Sequence, residues 1–189
     1  LPYLLYVQDF WPAASNCLCT WVLGGTWSLA VEEQFYFTLP LLIWLLEPKR
    51  LRKVLIVAVL AAPALRILFC FRWPGNWILT YAMMPCRADA LLLGVLAAMA
   101  VRDPAQRAWI ERHGRLILAA IFGLLLGCAV MVHVASAPDT LLMRSFGYSW
   151  MAVLYVLILI YSLTRRSSIL SRFFRLRPLR SLGRIAYGV

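Results

Sequence analysis

Charge is scarce in this sequence, and acidic charge scarcest. Only 14% of the 189 residues are Asp, Glu, Lys or Arg, and only 8 are acidic. A soluble domain carries about 25% charged residues. With 63% of residues apolar and a mean hydropathy of +0.78, a water-soluble globule could not hide its apolar surface. Intrinsic disorder is excluded on the same ground. Histidine is rarer still, with 2 residues, and lysine is nearly absent. The five cysteines, Cys17, Cys19, Cys70, Cys86 and Cys128, are odd in number and irregular in spacing. That excludes a disulfide framework. Cys17 and Cys19 are too isolated for a zinc site, and no metal is expected. The chain opens Leu1-Pro2 without a basic flank, so no signal peptide is read. It closes on Arg184 to Val189, where an apolar run has only started. Both ends read as those of an internal segment.

What is present is long apolar runs. Five are long enough to cross a bilayer, which takes about 20 residues: about 27–46, 54–71, 77–101, 116–134 and 145–163. No period-2 alternation runs through them, which excludes barrel strands and leaves helices. The expected fold is all-α, a polytopic transmembrane helix bundle in a lipid bilayer. The connections alternate in charge. Glu47–Lys53, Arg102–Arg115 and the tail from Arg165 are basic; 72–76 and 135–144 are poor in charge. Positive loops stay inside, so the N-terminal end is expected outside and the tail in the cytoplasm. The same pattern explains the net charge of +11 without nucleic acid. Trp27, Trp73, Trp77 and Trp150 fall near outer ends and Trp44 near an inner end, as interface anchors do.

Five ionisable residues lie within the spans: Glu32, Glu33, Arg66, Arg87 and Asp89. Each costs about 2.5–3.5 kcal/mol at a helix centre on insertion scales, so each is a functional hypothesis by default. At 1.5 Å per residue, Glu33 lies about 9 Å below Trp27 and Arg66 about 8 Å from its outer end, so a pair is geometrically possible. Arg87 is deeper, about 15 Å in. Glu32 and Glu33 point about 100° apart. Pro85 is expected to break its span just before Arg87, which favours a pocket there. A carboxylate in such a setting can act as a base, and an arginine can hold a phosphate or an oxyanion.

The run Thr26-Trp-Ser-Leu-Ala-Val-Glu-Glu-Gln-Phe-Tyr36 is more specific than any of this. It resembles the hallmark segment of the acyltransferase-3 family, polytopic acyltransferases that include O-antigen O-acetylases. Cys86-Arg-Ala-Asp-Ala-Leu-Leu-Leu-Gly-Val95 resembles that family's Arg-x-Asp span. Pro178 to Gly188 resembles its lead-in to the next span, and Leu1 to Phe10 the stretch before the glutamate motif. The resemblance implies a bundle of about ten spans, of which this chain holds the fourth to the eighth within one acyltransferase domain. It implies transfer of an acyl group, above all acetyl, from cytoplasmic acyl-CoA to a hydroxyl of an extracytoplasmic glycan or lipid-linked acceptor at the bacterial cell membrane. Acyl-CoA is a donor substrate, and no bound cofactor is implied. Carried over onto this sequence, Glu32 and Glu33 are the catalytic candidates. Trp27, Ser28, Gln34, Tyr36, Arg87 and Asp89 are the substrate-binding candidates, with Asp89 supporting Arg87; Arg66 joins them as a charge within a span, outside the matched motifs.

The family's base is a histidine in an Arg-x10-His motif on its first span, which has no counterpart here. Arg102 and His113 share that spacing, but on a charged loop with Pro104 rather than in an apolar helix, and are rejected. His133 reads as structural. The 189 residues alone are therefore expected to be inactive. Two other functions fit the buried charges: a transporter or flippase for an anionic solute, and a non-catalytic subunit in which the charges join helices.

Overall fold

Apolar runs in lipid must satisfy their backbone internally, and the computed structural model of the chain does so with helices alone among the residues described, 9–15, 27–134, 140–165 and 167–186. Cys17, Cys19, Thr26 and Asp139 lie outside that set. The order is α1 Phe10–Ser15, α2 Trp27–Leu45, α3 Pro48–Arg72, α4 Trp77–Ala82, α5 Met84–Arg102, α6 Pro104–Arg112 and α7 Gly114–Val134. A π-helical turn, Met143–Gly147, then leads into α8 Tyr148–Thr164, followed by α9 Ile169–Phe174 and α10 Arg177–Ala186.

Four stretches are long and apolar enough to cross a membrane: Pro48–Arg72, Trp77–Arg102, Gly114–Val134 and Met143–Thr164. The protein is an integral-membrane, all-α polytopic protein. The first of the five expected spans, α2, has 19 residues but is not among these four. Glu32, Glu33 and Gln34 fall consecutively inside it and dilute its apolar character. α3, at 25 residues, is about 37 Å long, more than a hydrocarbon core of about 30 Å. Its surplus is the basic first turn, Pro48 to Lys53.

α5 is the centre of the bundle, packed against α2, α3 and α8. Phe35, Leu51, Leu55, Ala88 and Leu92 join α2, α3 and α5. A second cluster, Ile110, Ile117, Ile121 and Leu154, joins α6, α7 and α8. Trp150 lies against Gly127, where a Cβ would collide with its ring, and its indole N–H donates to the Leu124 carbonyl at 3.0 Å. α7 and α8 approach closely there because position 127 has no side chain.

The expected break falls at Met83, which is extended (φ −70°, ψ 134°) between α4 and α5. Pro85 sits in the first turn of α5, where its missing N–H costs nothing. Continued through residue 83, the helix would need that N–H and would meet the proline ring. The basic termini share one end of the bundle. Arg52 of α3 reaches Asp103, at the end of α5, at 3.9 Å, and Arg165 after α8 donates to the Glu111 carbonyl of α6.

Candidate functional site

Two polar groups lie side by side in the apolar bundle, and they differ in kind. The first is closed. Arg66 of α3 is fully buried and Asp89 of α5 nearly so. Their side chains form an ion pair at 2.9 Å. The Arg66 guanidinium also donates to the Cys86 carbonyl, to the Ser149 hydroxyl and, at 3.5 Å, to the Ser145 carbonyl. Ser149 in turn donates to Asp89 Oδ2, and Asp89 Oδ1 accepts from the Ala90 N–H at 3.0 Å. Charge and hydrogen-bonding capacity are matched here, as a buried pair requires. This knot ties α3, α5 and α8 together and leaves no room for a substrate.

The partnerships differ from those expected from sequence. Arg66 pairs with Asp89, not with Glu33. Asp89 turns toward Arg66, not toward Arg87, because residues two apart on a helix point to different sides.

The second group is open. Arg87, one residue past the carbonyl that Arg66 holds, lies over the Tyr148 ring. Its guanidinium carbon is 4.3 Å from the Tyr148 centroid, 5.2 Å from Tyr81 and 5.8 Å from Trp27. Those rings pack on one another, Trp27 to Tyr81 at 4.7 Å and Tyr81 to Tyr148 at 6.0 Å. Aromatic faces hold a cation by their quadrupoles without neutralising it. Among the described residues, no carboxylate lies within ion-pair distance of Arg87. The cleft it faces, of about 460 Å³, is lined by Trp27, Ser28, Glu32, Tyr81 and Tyr148 and runs down α8 to Tyr155. A second cavity, of about 650 Å³, begins at that same Tyr155. It follows Ile158, Leu159 and Ser162 of α8 toward Arg175. Such an arrangement can hold an anion, or an oxygen gaining negative charge, against a cation that no carboxylate of the described residues neutralises.

Of the expected site residues, Trp27, Ser28, Glu32 and Arg87 therefore share one cleft. Arg66 and Asp89 stand behind its wall. Glu33 and Tyr36 do not line it, and the Tyr36 ring is exposed and lies against Phe35. The Gln34 side chain donates to Asp9 at 2.9 Å. Asp9 is fully buried, and its Oδ2 has no hydrogen-bond partner among the described residues. Burial raises its pKa above the usual 3.8, against the lowering effect of the Gln34 hydrogen bond. His113 is used locally, stacked on Trp109 and bonded to its carbonyl at 2.9 Å.

Arg144 appears in the sequence as a loop charge, yet it is buried. It donates to the Pro74 and Asn76 carbonyls, each at 3.0 Å, and to the Thr80 hydroxyl at 3.2 Å. It thereby fixes the α3–α4 connection and, with it, the helix that presents Tyr81. The π-helical turn that positions Arg144 also sets Ser145 and Ser149 one turn apart on the Arg66 side. Such turns often mark functional sites.

The fold and the site together define an integral-membrane protein with a charged, aromatic-walled cleft between its helices. The chain belongs to the acyltransferase-3 family, whose model, described as an acyltransferase domain, matches residues 1–189. A relative is the peptidoglycan O-acetyltransferase OatA of Listeria monocytogenes, 29% identical over 174 residues that make up 88% of this chain and 27% of that protein. The chain thus spans about a quarter of that relative's length. No solved structure matches.

Proposed function

We propose that the chain is part of the transmembrane domain of an O-acyltransferase that moves an acyl group, acetyl by preference, from acyl-CoA to a glycan hydroxyl of the cell envelope. The observation that carries this reading is Arg87, a cation caged by Trp27, Tyr81 and Tyr148 with no carboxylate of the described residues against it, in the cleft that Glu32 also lines. Family membership and the likeness to a peptidoglycan O-acetyltransferase support the reaction class.

In the proposed reaction the acceptor oxygen attacks the thioester carbonyl carbon. A C–O bond forms, the C–S bond breaks and CoA leaves as its thiolate. The hydroxyl proton passes to a base and from there to the thiolate. Negative charge gathers on the carbonyl oxygen in the transition state, and Arg87 is the group to meet it. Glu32 holds the acceptor hydroxyl or the protonated base. The family resemblance assigns the base itself to a histidine on a preceding span. The basic end of the bundle faces the cytoplasm, by the rule that positive loops stay inside. The cavity along α8 then opens on the donor's side and the Arg87 cleft on the acceptor's.

The break at Met83, one turn before Arg87, also suits a transporter for an anionic solute, since broken helices carry such sites. Labelled acetyl-CoA separates the two. In membranes holding the full-length protein, label should appear as alkali-labile ester on the envelope glycan. Uptake of an anion with no ester formed would replace the acyltransferase reading with transport.

A further inference from the structure

α9 and α10 follow a different pattern from the rest of the chain. From Ser167 to Ala186 there is no acidic residue, while Arg172, Arg175, Arg177, Arg180 and Arg184 supply five positive charges. On α10, at 100° per residue, the three arginines fall within about 60° of arc. Leu179, Leu182 and Ile185 occupy the opposite side. Leu182 is 63% exposed and Ile185 71%. With 10 residues, three of them arginines, α10 is about 15 Å long. Its place is set by what precedes it. α8 ends at Thr164, α9 packs back on α8, and this end of the bundle is the one where Arg52 meets Asp103 and Arg165 meets Glu111. α10 is thus held where a span leaves the hydrocarbon, with one apolar and one cationic side.

We propose that α10 lies in the plane of the membrane and binds the anionic phospholipid headgroups of the leaflet at the basic end of the bundle. The apolar side, Leu179, Leu182 and Ile185, enters the acyl boundary, as in amphipathic interfacial helices. Arg177, Arg180 and Arg184 take lipid phosphates through their planar, forked guanidinium groups. The occupant is the lipid surface because both sides of the helix are then satisfied at once. Near an anionic surface each arginine shifts the docked-to-undocked ratio about five-fold, so the three together shift it about a hundredfold.

The test uses the full-length protein with its cysteines replaced and Leu182→Cys carrying a polarity-sensitive fluorophore. It is reconstituted in vesicles of phosphatidylcholine alone or with added phosphatidylglycerol. In the mixed vesicles the emission should shift to the blue and be quenched by lipids brominated near the headgroup. The same fluorophore on Arg180→Cys should stay in water. Phosphatidylcholine alone, or high salt, should reduce the quenching of the identical protein, which separates headgroup binding from misfolding. Arg177→Gln, Arg180→Gln and Arg184→Gln together should abolish it. Equal quenching in both lipids would overturn the proposal, as would a blue shift that no lipid bromine quenches, which would place Leu182 against protein. Loss of quenching on adding CoA to the mixed vesicles would also overturn it, since the arginines would then belong to a soluble phosphate. None of these readings depends on acyl transfer.

Discussion

Arg66 and Asp89 meet at 2.9 Å across the α3–α5 interface with their side chains sealed from solvent; Arg66 also holds the carbonyl of Cys86, the residue before Arg87, and Asp89 is two residues after it. The pair is a fastening, and its stability role is separable from the cleft. Asp89→Asn should leave Arg66 buried without a counter-ion. Breaking such a pair from one side costs about 3–5 kcal/mol. The variant should melt well below the parent in detergent, and Arg66→Met with Asp89→Leu together should recover most of the loss. An unchanged melting temperature for Asp89→Asn would show that apolar packing alone holds α3 to α5.

Arg87 should behave in the opposite way. Its partners are rings, and no buried carboxylate is stranded when it is removed. Arg87→Ala in the full-length protein is expected to leave the melting temperature near that of the parent while lowering kcat about 10²–10³-fold, the usual effect of losing one oxyanion-stabilising group. Arg87→Lys keeps the charge but not the flat face against Tyr148, and should recover only part of the rate. Parallel losses of stability and rate in both variants would make Arg87 a packing residue.

The adjacent glutamates should separate. Glu32 lines the cleft and Glu33 does not. Glu32→Gln should lower acyl transfer about 10²-fold or more, the scale of positioned acid–base chemistry. Glu33→Gln should cost markedly less. Ester formed per minute by membranes containing equal amounts of each protein measures the difference, and the reverse order would move the chemistry to the other side of α2.

Much of this is legible in the sequence. Apolar run lengths place the spans, because lipid forces their backbone into helices. Pro85 announces the break, because a missing N–H cannot be hidden in mid-helix. The glutamate run marks α2 for the same reason that it keeps that helix less apolar than its neighbours. Pairings were not legible. Depth arithmetic puts Glu33 level with Arg66, but which side of α3 faces which neighbour depends on packing that one-dimensional spacing does not contain. Asp89 is the case in point: two residues from Arg87 in sequence, it turns away to α3. Tyr81 and Tyr148 lie 67 positions apart in sequence, and nothing in their spacing shows that the fold brings both over one guanidinium. Ser145 and Ser149, four apart at the head of an apolar run, were the available sign of a polar side on α8. Asp9 carried no such sign, since a lone acid before a span reads as a solvated loop.

Asp9 gives a pH signature. Its folded-state pKa is raised above 3.8 by burial, so the folded form keeps a proton that the unfolded chain has lost. Stability from this group is greatest at low pH, and falls as pH rises from the ordinary value through the raised one. Hydrogen exchange from the α1 amides, Phe10–Ser15, should therefore be slower near the acidic end of that window than at neutral pH, after correction for intrinsic rates. Asp9→Asn keeps an oxygen for Gln34 but cannot ionise, and should flatten the dependence. A dependence unchanged in Asp9→Asn would assign it to another group.

The central claim is that the Arg87–Glu32 cleft serves thioester chemistry. It is tested most directly by CoA release from acetyl-CoA in sealed vesicles of the full-length protein, with the basic end exposed to the donor and an acceptor glycan enclosed. CoA release is expected to depend on the acceptor and to be removed by Arg87→Ala and by Glu32→Gln, while Tyr36→Phe, outside the cleft, leaves it in place. Release unaffected by either substitution, or movement of an anion across the membrane with no CoA released, would contradict it.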